Sequence, residues 1–512
     1  MARERALTAT ALLATVILAQ LAGHLLLKYY MPNAIVGGIG FLLIGLIFYY
    51  VLFVRRDPFG FILLVYVSSH FTYANNQGGL WNLMTFGILA LYLVVNPRSG
   101  DFRQRDRVMY ALLWVFILWN VLGWGVRNPV PIIDELMGIA AFFGFILMFH
   151  LASNMVITKE RFRLFLLVTF IMLPYEFMVD LIQRYQLLRW NTPLIGSYTE
   201  QGSTLTYGTT NAWGTLVHFE LMGEYGVLLA CLLIPLLSSS LTQRELRFGS
   251  NRIVIMIFSC LAIIMLATNR SATILLVLAI AVYYLVLPMR VFSAIDRVGR
   301  QLKLILVLAL LLPVIGVYIG LHTLEEKFST LSGEKFSVEG VVSGKDINRG
   351  TTVAMGLNRL QKESWWVGYG FGTPRSNVWA WYGVDPRERS SMGTAGFHSL
   401  YLSLPELYGW VGALAFLAMI VVTAFRSFTT SMRYRRRKSF LIVLAVGFTM
   451  FWGVFLMNEY KIDILRNPNY HMLFWIWLGL ANSVIKTIRY EKQEKSTTAH
   501  PLAPGKKEAA LR

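Results

Sequence analysis

Apolar runs of about 20 residues, separated by short polar breaks, recur along nearly the whole chain. Each is long enough to cross ~30 Å of hydrocarbon as a helix. The pattern predicts spans at 6–27, 34–54, 59–74, 79–96, 108–126, 132–153, 163–187, 211–238, 252–269, 271–289, 303–321, 398–425, 439–457 and 469–487. The span 59–74 is the shortest and is interrupted by Ser68, Ser69 and His70. The expected fold is an all-α, polytopic integral membrane protein of about 12–14 transmembrane helices.

Two connections break the rhythm of short loops. One covers 188–210, and the other runs through 322–397, 76 residues rich in Trp, Tyr, Gly and charges of both signs. Loops above ~12–15 residues are uncommon and usually functional. Within the longer one, TTVAMGLNRLQKESWW (351–366) reads as an amphipathic stretch on the membrane surface. The chain therefore divides into N-terminal spans (1–190), central spans (191–321), a large loop (322–397), C-terminal spans (398–487) and a basic tail (488–512). No internal repeat is evident, which argues against a transporter built from paired halves.

Composition sharpens this picture. Of 512 residues, 56% are hydrophobic and 15% charged, against about 25% charged in soluble domains. The net charge of +19 suggests nucleic acid at first sight, but its distribution excludes that partner. Basic runs such as RSGDFRQRDR (98–107) and SMRYRRRKSF (431–440) fall in alternate loops, and the opposite short turns are nearly bare. The positive-inside rule then places both termini in the cytoplasm and the large loop outside. The N-terminal apolar run is too long for a typical signal peptide and reads as a retained first span. Cys231 and Cys260, the only cysteines, lie within spans and form no metal signature.

On the outer face the basic residues stand out. Arg270, in ATNRSATILL, sits in a tight turn between two spans. It can snorkel to headgroups, or bind phosphate oxygens with help from the adjoining helix N-terminus. Arg349 and, more weakly, Arg375 belong to the large loop. A solvated loop arginine is ordinary, but a pair of outer-face arginines can clamp a pyrophosphate. GYGFGT (368–373) imitates a dinucleotide fingerprint without its strand and helix. It reads better as a turn returning the loop to the membrane. His398 opens the span FHSLYLSLPELYGWVG and shares the arginines' face. A structural imidazole is one reading, and a general base for a hydroxyl is the other. Glu176, Asp180, Glu220, Glu224 and Glu406 are intramembrane acids, which usually face a bundle interior. Glu220 and Glu224 share one helical face near His218 and suit either a proton path or a polar patch. HExxH, Walker A and paired-Asp metal signatures are absent, so no cofactor or metal is expected.

The order of these pieces resembles the bacterial O-antigen ligase and polymerase superfamily. The matching stretches are TTNAWGTL (209–216), NRSATILL (269–276), NRGTTVAMGLNRLQKESWWVGYGFGT (348–373) and HSLYLSLPELYGWVG (398–412). Gly409 and Gly412 stand at the family's offsets from His398, whereas Ser399 replaces the usual asparagine and Glu406 falls one residue early. The resemblance implies a GT-C-like membrane glycosyltransferase in the bacterial plasma membrane. Its donor would be a polyprenyl-pyrophosphate-linked glycan and its acceptor a sugar hydroxyl, within a lipid bilayer and beside other polysaccharide-assembly proteins. Arg270, Arg349 and Arg375 would hold the pyrophosphate and His398 would be catalytic, with Asn211, Glu220, Glu224 and Ser399 as acceptor or support residues. A polymerase of repeat units is the leading expectation, on the size of the outer loop, with a ligase next. A lipid-linked-sugar flippase or a structural assembly factor are the readings from other classes.

Overall fold

The computed structural model describes residues 34–70, 78–97, 100–101, 106–125, 132–190, 214–216, 219–239, 244–267, 270–286, 366–368, 399–434, 439–460, 464 and 467–499. The expected spans 6–27 and 303–321, and nearly all of the loop 322–397, lie outside these residues.

Twelve α-helices and no strands occur among the described residues. They are α1 (Ala34–Tyr49, continued by a π-turn at Tyr50–Val54), α2 (Pro58–Ser68), α3 (Gly78–Val95), α4 (Arg107–Gly125), α5 (Ile132–Ser153) and α6 (Lys159–Trp190). After them come α7 (Phe219–Ser238), α8 (Ser250–Leu266), α9 (Arg270–Val286), α10 (Leu400–Arg433), α11 (Phe440–Asn458) and α12 (Pro468–Ala499). The all-α, multi-span expectation is borne out. Among the described residues, α6, α7, α10 and α11 each contain a stretch long and apolar enough to cross a membrane, and shorter apolar helices pack around them.

Local chemistry sets several boundaries. Asp57 caps α2 by accepting from Gly60 N at 3.0 Å, with Pro58 in the first turn. Asn467 caps α12 in the same way, its Oδ1 accepting from Asn469 N at 2.9 Å and Tyr470 N at 3.0 Å ahead of Pro468. The expected ends move in two places. Within the predicted span 211–238, residues 214–216 form a turn with Gly214 at φ 57°, and the described helix covers Phe219–Ser238. The helix after Ser399 runs on to Arg433, past the expected end at 425, as Arg426 pairs with Asp106, just before α4.

Helix α7 is the axis of the bundle, with its apolar stretch wholly buried. It packs against α8 on one side and α11 on the other. A Cβ on Gly226 would lie 3.0 Å from the Cys260 carbonyl, and one on Gly447 would lie 3.1 Å from Leu232 Cα. Small residues let the helix backbones approach closely here, the usual means of association in lipid. Leu42, Val94, Leu122, Val277, Leu414 and Phe425 are exposed on several helices, an apolar exterior that suits hydrocarbon and not water.

Candidate functional site

The short loops make neighbouring helices antiparallel, so Glu220, Glu224, Ser399 and the first residue of α9 come to one end of the bundle. Helix α8 packs antiparallel on α7 and is followed at once by α9, whose first residue is Arg270. The start of α9 therefore lies at the end of the bundle where α7 begins with Glu220. Helix α9 also contacts α11, whose last residues, Asn458 and Glu459, reach the same end. Arg270 thus opens a helix, as the anion reading requires; its side chain lies outside the described residues. So do His398, Arg349, Arg375, Asn211 and His218, together with the side chain of Glu406.

Among the site residues expected from sequence, the structure describes the side chains of Ser399, Glu220 and Glu224. Ser399 is the N-cap of α10, extended at φ −146° and buried, with no side-chain capping bond. The first amide of the helix, Leu400 N, donates instead to the Glu459 carbonyl at 3.0 Å. Tyr401 OH donates to the Leu456 carbonyl. The helix that follows His398 is therefore anchored to the end of α11 and not capped by its own residues.

That anchor is itself held. The Glu224 carboxylate, fully buried on α7, accepts from Tyr470 OH of α12 at 2.8 Å and from Asn458 Nδ2 of α11. Glu220 lies one turn away on the same helix and is also buried. Glu459 is buried too. A second polar network stands beside the first. The Glu176 carboxylate on α6 pairs with His70 Nδ1 at 2.8 Å and accepts from Thr215 N at 3.2 Å and from the Thr215 hydroxyl. Gln183 Oε1 accepts from Gly214 N at 2.9 Å, and Asn467 Nδ2 donates to the Leu216 carbonyl at 2.6 Å. The turn 214–216, just after Asn211, is thus pinned from α6 on one side and from α12 on the other. The Tyr66 and Tyr225 hydroxyls, 2.7 Å apart, link α2 to α7.

The return of the large loop is visible at Trp366–Gly368. Trp119 Nε1 of α4 donates to the Trp366 carbonyl at 2.7 Å. Opposite it, α10 kinks at Gly409, which has φ 67° and ψ 170°. A Cβ on Gly409 would overlap the Trp366 carbonyl, and one on Gly368, at φ 35°, would overlap the Gly409 amide. Two glycines in the left-handed region therefore lie backbone to backbone. Gly412, three residues on, faces Trp119 and Asn120 of α4.

The polar partners Tyr470, Asn458, Glu459, Asn467, Gln183 and Thr215 escaped the sequence reading. Asn467 before Pro468 carried a capping signal, and Glu459 follows a span closely enough to count as an intramembrane acid. Among the described residues no group of three His, Cys, Asp or Glu side chains is arranged to hold a metal ion.

Residues 255–417 match the family model described as O-antigen ligase. This part of the chain is similar to the O-antigen ligase family. The match spans α8, α9, the large loop and the start of α10 through the Gly409 kink, so the superfamily resemblance read from the motifs is borne out. No curated protein matches the chain significantly. Together with the bundle of apolar helices, the similarity supports a multi-pass membrane enzyme of glycan processing.

Proposed function

We propose that the protein is a metal-independent, inverting glycosyltransferase of the outer face of the plasma membrane. It moves glycan from a polyprenyl-pyrophosphate donor to a sugar hydroxyl, and its main task is to polymerise repeat units of an O-antigen, capsule or exopolysaccharide. The observation that carries this reading is the convergence, within an O-antigen ligase segment, of the Arg270 helix start and the anchored start of the helix following His398.

In this reading Arg270, Arg349 and Arg375 bind the pyrophosphate oxygens, assisted by the positive end of the α9 dipole. His398 takes the proton from the acceptor hydroxyl. The hydroxyl oxygen bonds to the anomeric carbon on the face opposite the leaving group, and the carbon–oxygen bond to the pyrophosphate breaks. The departing lipid pyrophosphate carries the electron pair, and the arginines stabilise its growing charge. The pinned turn 214–216 would present Asn211 and Ser399 would border the acceptor. A ligase reading stands second, favoured by the description of the matched family.

The test is the length distribution of carrier-linked and surface glycan in cells bearing wild type or His398→Ala at equal protein levels. Single repeat units left on the carrier are expected. Long chains stranded on the carrier would assign a ligase instead, and an unchanged profile would remove His398 from the mechanism.

A further inference from the structure

We propose that Glu224 is a positioning residue for the transfer reaction: through Asn458 and Tyr470 it fixes the Glu459 carbonyl against Leu400, and so sets the start of the helix that follows His398. The inference rests on the transfer reading above for its catalytic consequence, but its geometry stands apart from it.

The carboxylate accepts one hydrogen bond from the last helical residue of α11 and one from the third residue of α12. It thereby ties together three helix ends. Glu459, directly after Asn458, then offers its carbonyl to Leu400 N at 3.0 Å. Ser399 makes no side-chain capping bond, so this interhelical contact takes the place of a cap that α10 lacks. Placing the reference point on α7 has a physical advantage. The apolar stretch of helix α7 is wholly buried, and a catalytic group is best held by side chains locked in rigid packing. A carboxylate suits the task because it accepts from two donors at once. A buried carboxylate in lipid is costly, and such groups are functional by default.

The experiment uses the full chain in proteoliposomes, as wild type, Glu224→Gln and Glu224→Ala. Two quantities are read: transfer from purified polyprenyl-pyrophosphate glycan, and modification of His398 by diethyl pyrocarbonate, followed on its peptide by mass spectrometry. Displacement of a catalytic group by ~1 Å costs about 10²-fold. For Glu224→Ala we expect kcat to fall about 10- to 100-fold, with acceptor KM changed less than about threefold, and His398 to react several-fold faster. Glutamine can accept from one partner and donate to the tyrosine hydroxyl, so Glu224→Gln should stay within about threefold of wild type. Unchanged transfer and unchanged His398 reactivity in Glu224→Ala would overturn the proposal. Altered His398 reactivity with unchanged transfer would leave the positioning intact and defeat the catalytic reading of His398. If Glu224→Ala fails to assemble, Tyr470→Phe carries the test in the same direction, and an unaltered His398 reactivity there would also overturn it.

Discussion

Helix α10 is held at two places by two different kinds of force. At Leu400 its start hangs on a chain of hydrogen bonds that runs back to the Glu224 carboxylate. Nine residues on, at Gly409, it is held by backbone pressed on backbone against Trp366–Gly368. The segment between them is the one that His398 leads. In a bilayer an interhelical side-chain hydrogen bond is worth only about 0.6 kcal/mol on average. The first contact is therefore weak in stability and rich in direction. The second contact has no soft atoms to yield. Substitution should thus damage the two ends differently: graded loss of rate at the first, and loss of assembly at the second.

The largest effect is expected from Gly409→Ala. The new Cβ would overlap the Trp366 carbonyl, and the left-handed φ of 67° adds strain. Relief requires either undocking the loop or straightening the kink. We expect more than about 4 kcal/mol of lost stability and no detectable transfer, measured as thermal unfolding in detergent and as glycan product. Gly368→Ala, from the other side of the same contact, should behave alike. Normal transfer by either variant would show that the loop need not dock there. Glu224→Ala follows in size and is the opposite test, with a strong effect on rate and a loss of stability of only about 1 kcal/mol.

These two ends also differ in how far the sequence revealed them. The glycines at 409 and 412 were legible as a spacing from His398, and Arg270 as a residue of the tight turn between two spans; the structure opens α9 at Arg270. The reason for Gly409 was not legible, because it depends on Trp366, 43 residues earlier and on a separate element. The turn 214–216 was misread as helix for a related reason. Gly-Thr-Leu is as apolar as a span, and hydropathy does not separate a buried turn from a buried helix. What makes it a turn are partners distant in sequence: Gln183, Glu176 and Asn467. The acids Glu176 and Glu224 were visible as costly intramembrane groups, but of their partners only His70 stood out, as a polar break in a span; the others were Asn, Thr and Tyr residues with no pattern of their own.

An intermediate case sharpens the comparison. Trp119→Phe keeps the ring in place and removes only the indole hydrogen bond to the Trp366 carbonyl. The glycine contact would persist. The cost should be about 0.5–1.5 kcal/mol, with transfer reduced less than about threefold. A collapse as deep as that of Gly409→Ala would mean that the hydrogen bond, and not the glycine packing, docks the loop.

The smallest effect belongs to a substitution at the other end of the bundle. Asp57 caps α2 through Gly60 N at 3.0 Å, while the far end of α2 leads to His70 and the buried Glu176. Removing the cap in Asp57→Ala should cost about 0.5–2 kcal/mol of stability. That loss is as large as the one expected for Glu224→Ala, yet it acts far from the start of α10. Transfer at a temperature well below unfolding should therefore stay at the wild-type level. The pair separates two explanations of a slow enzyme. If Asp57→Ala slowed transfer as much as Glu224→Ala, then loss of stability alone would account for the rate, and the carboxylate on α7 would hold no particular geometry at Leu400.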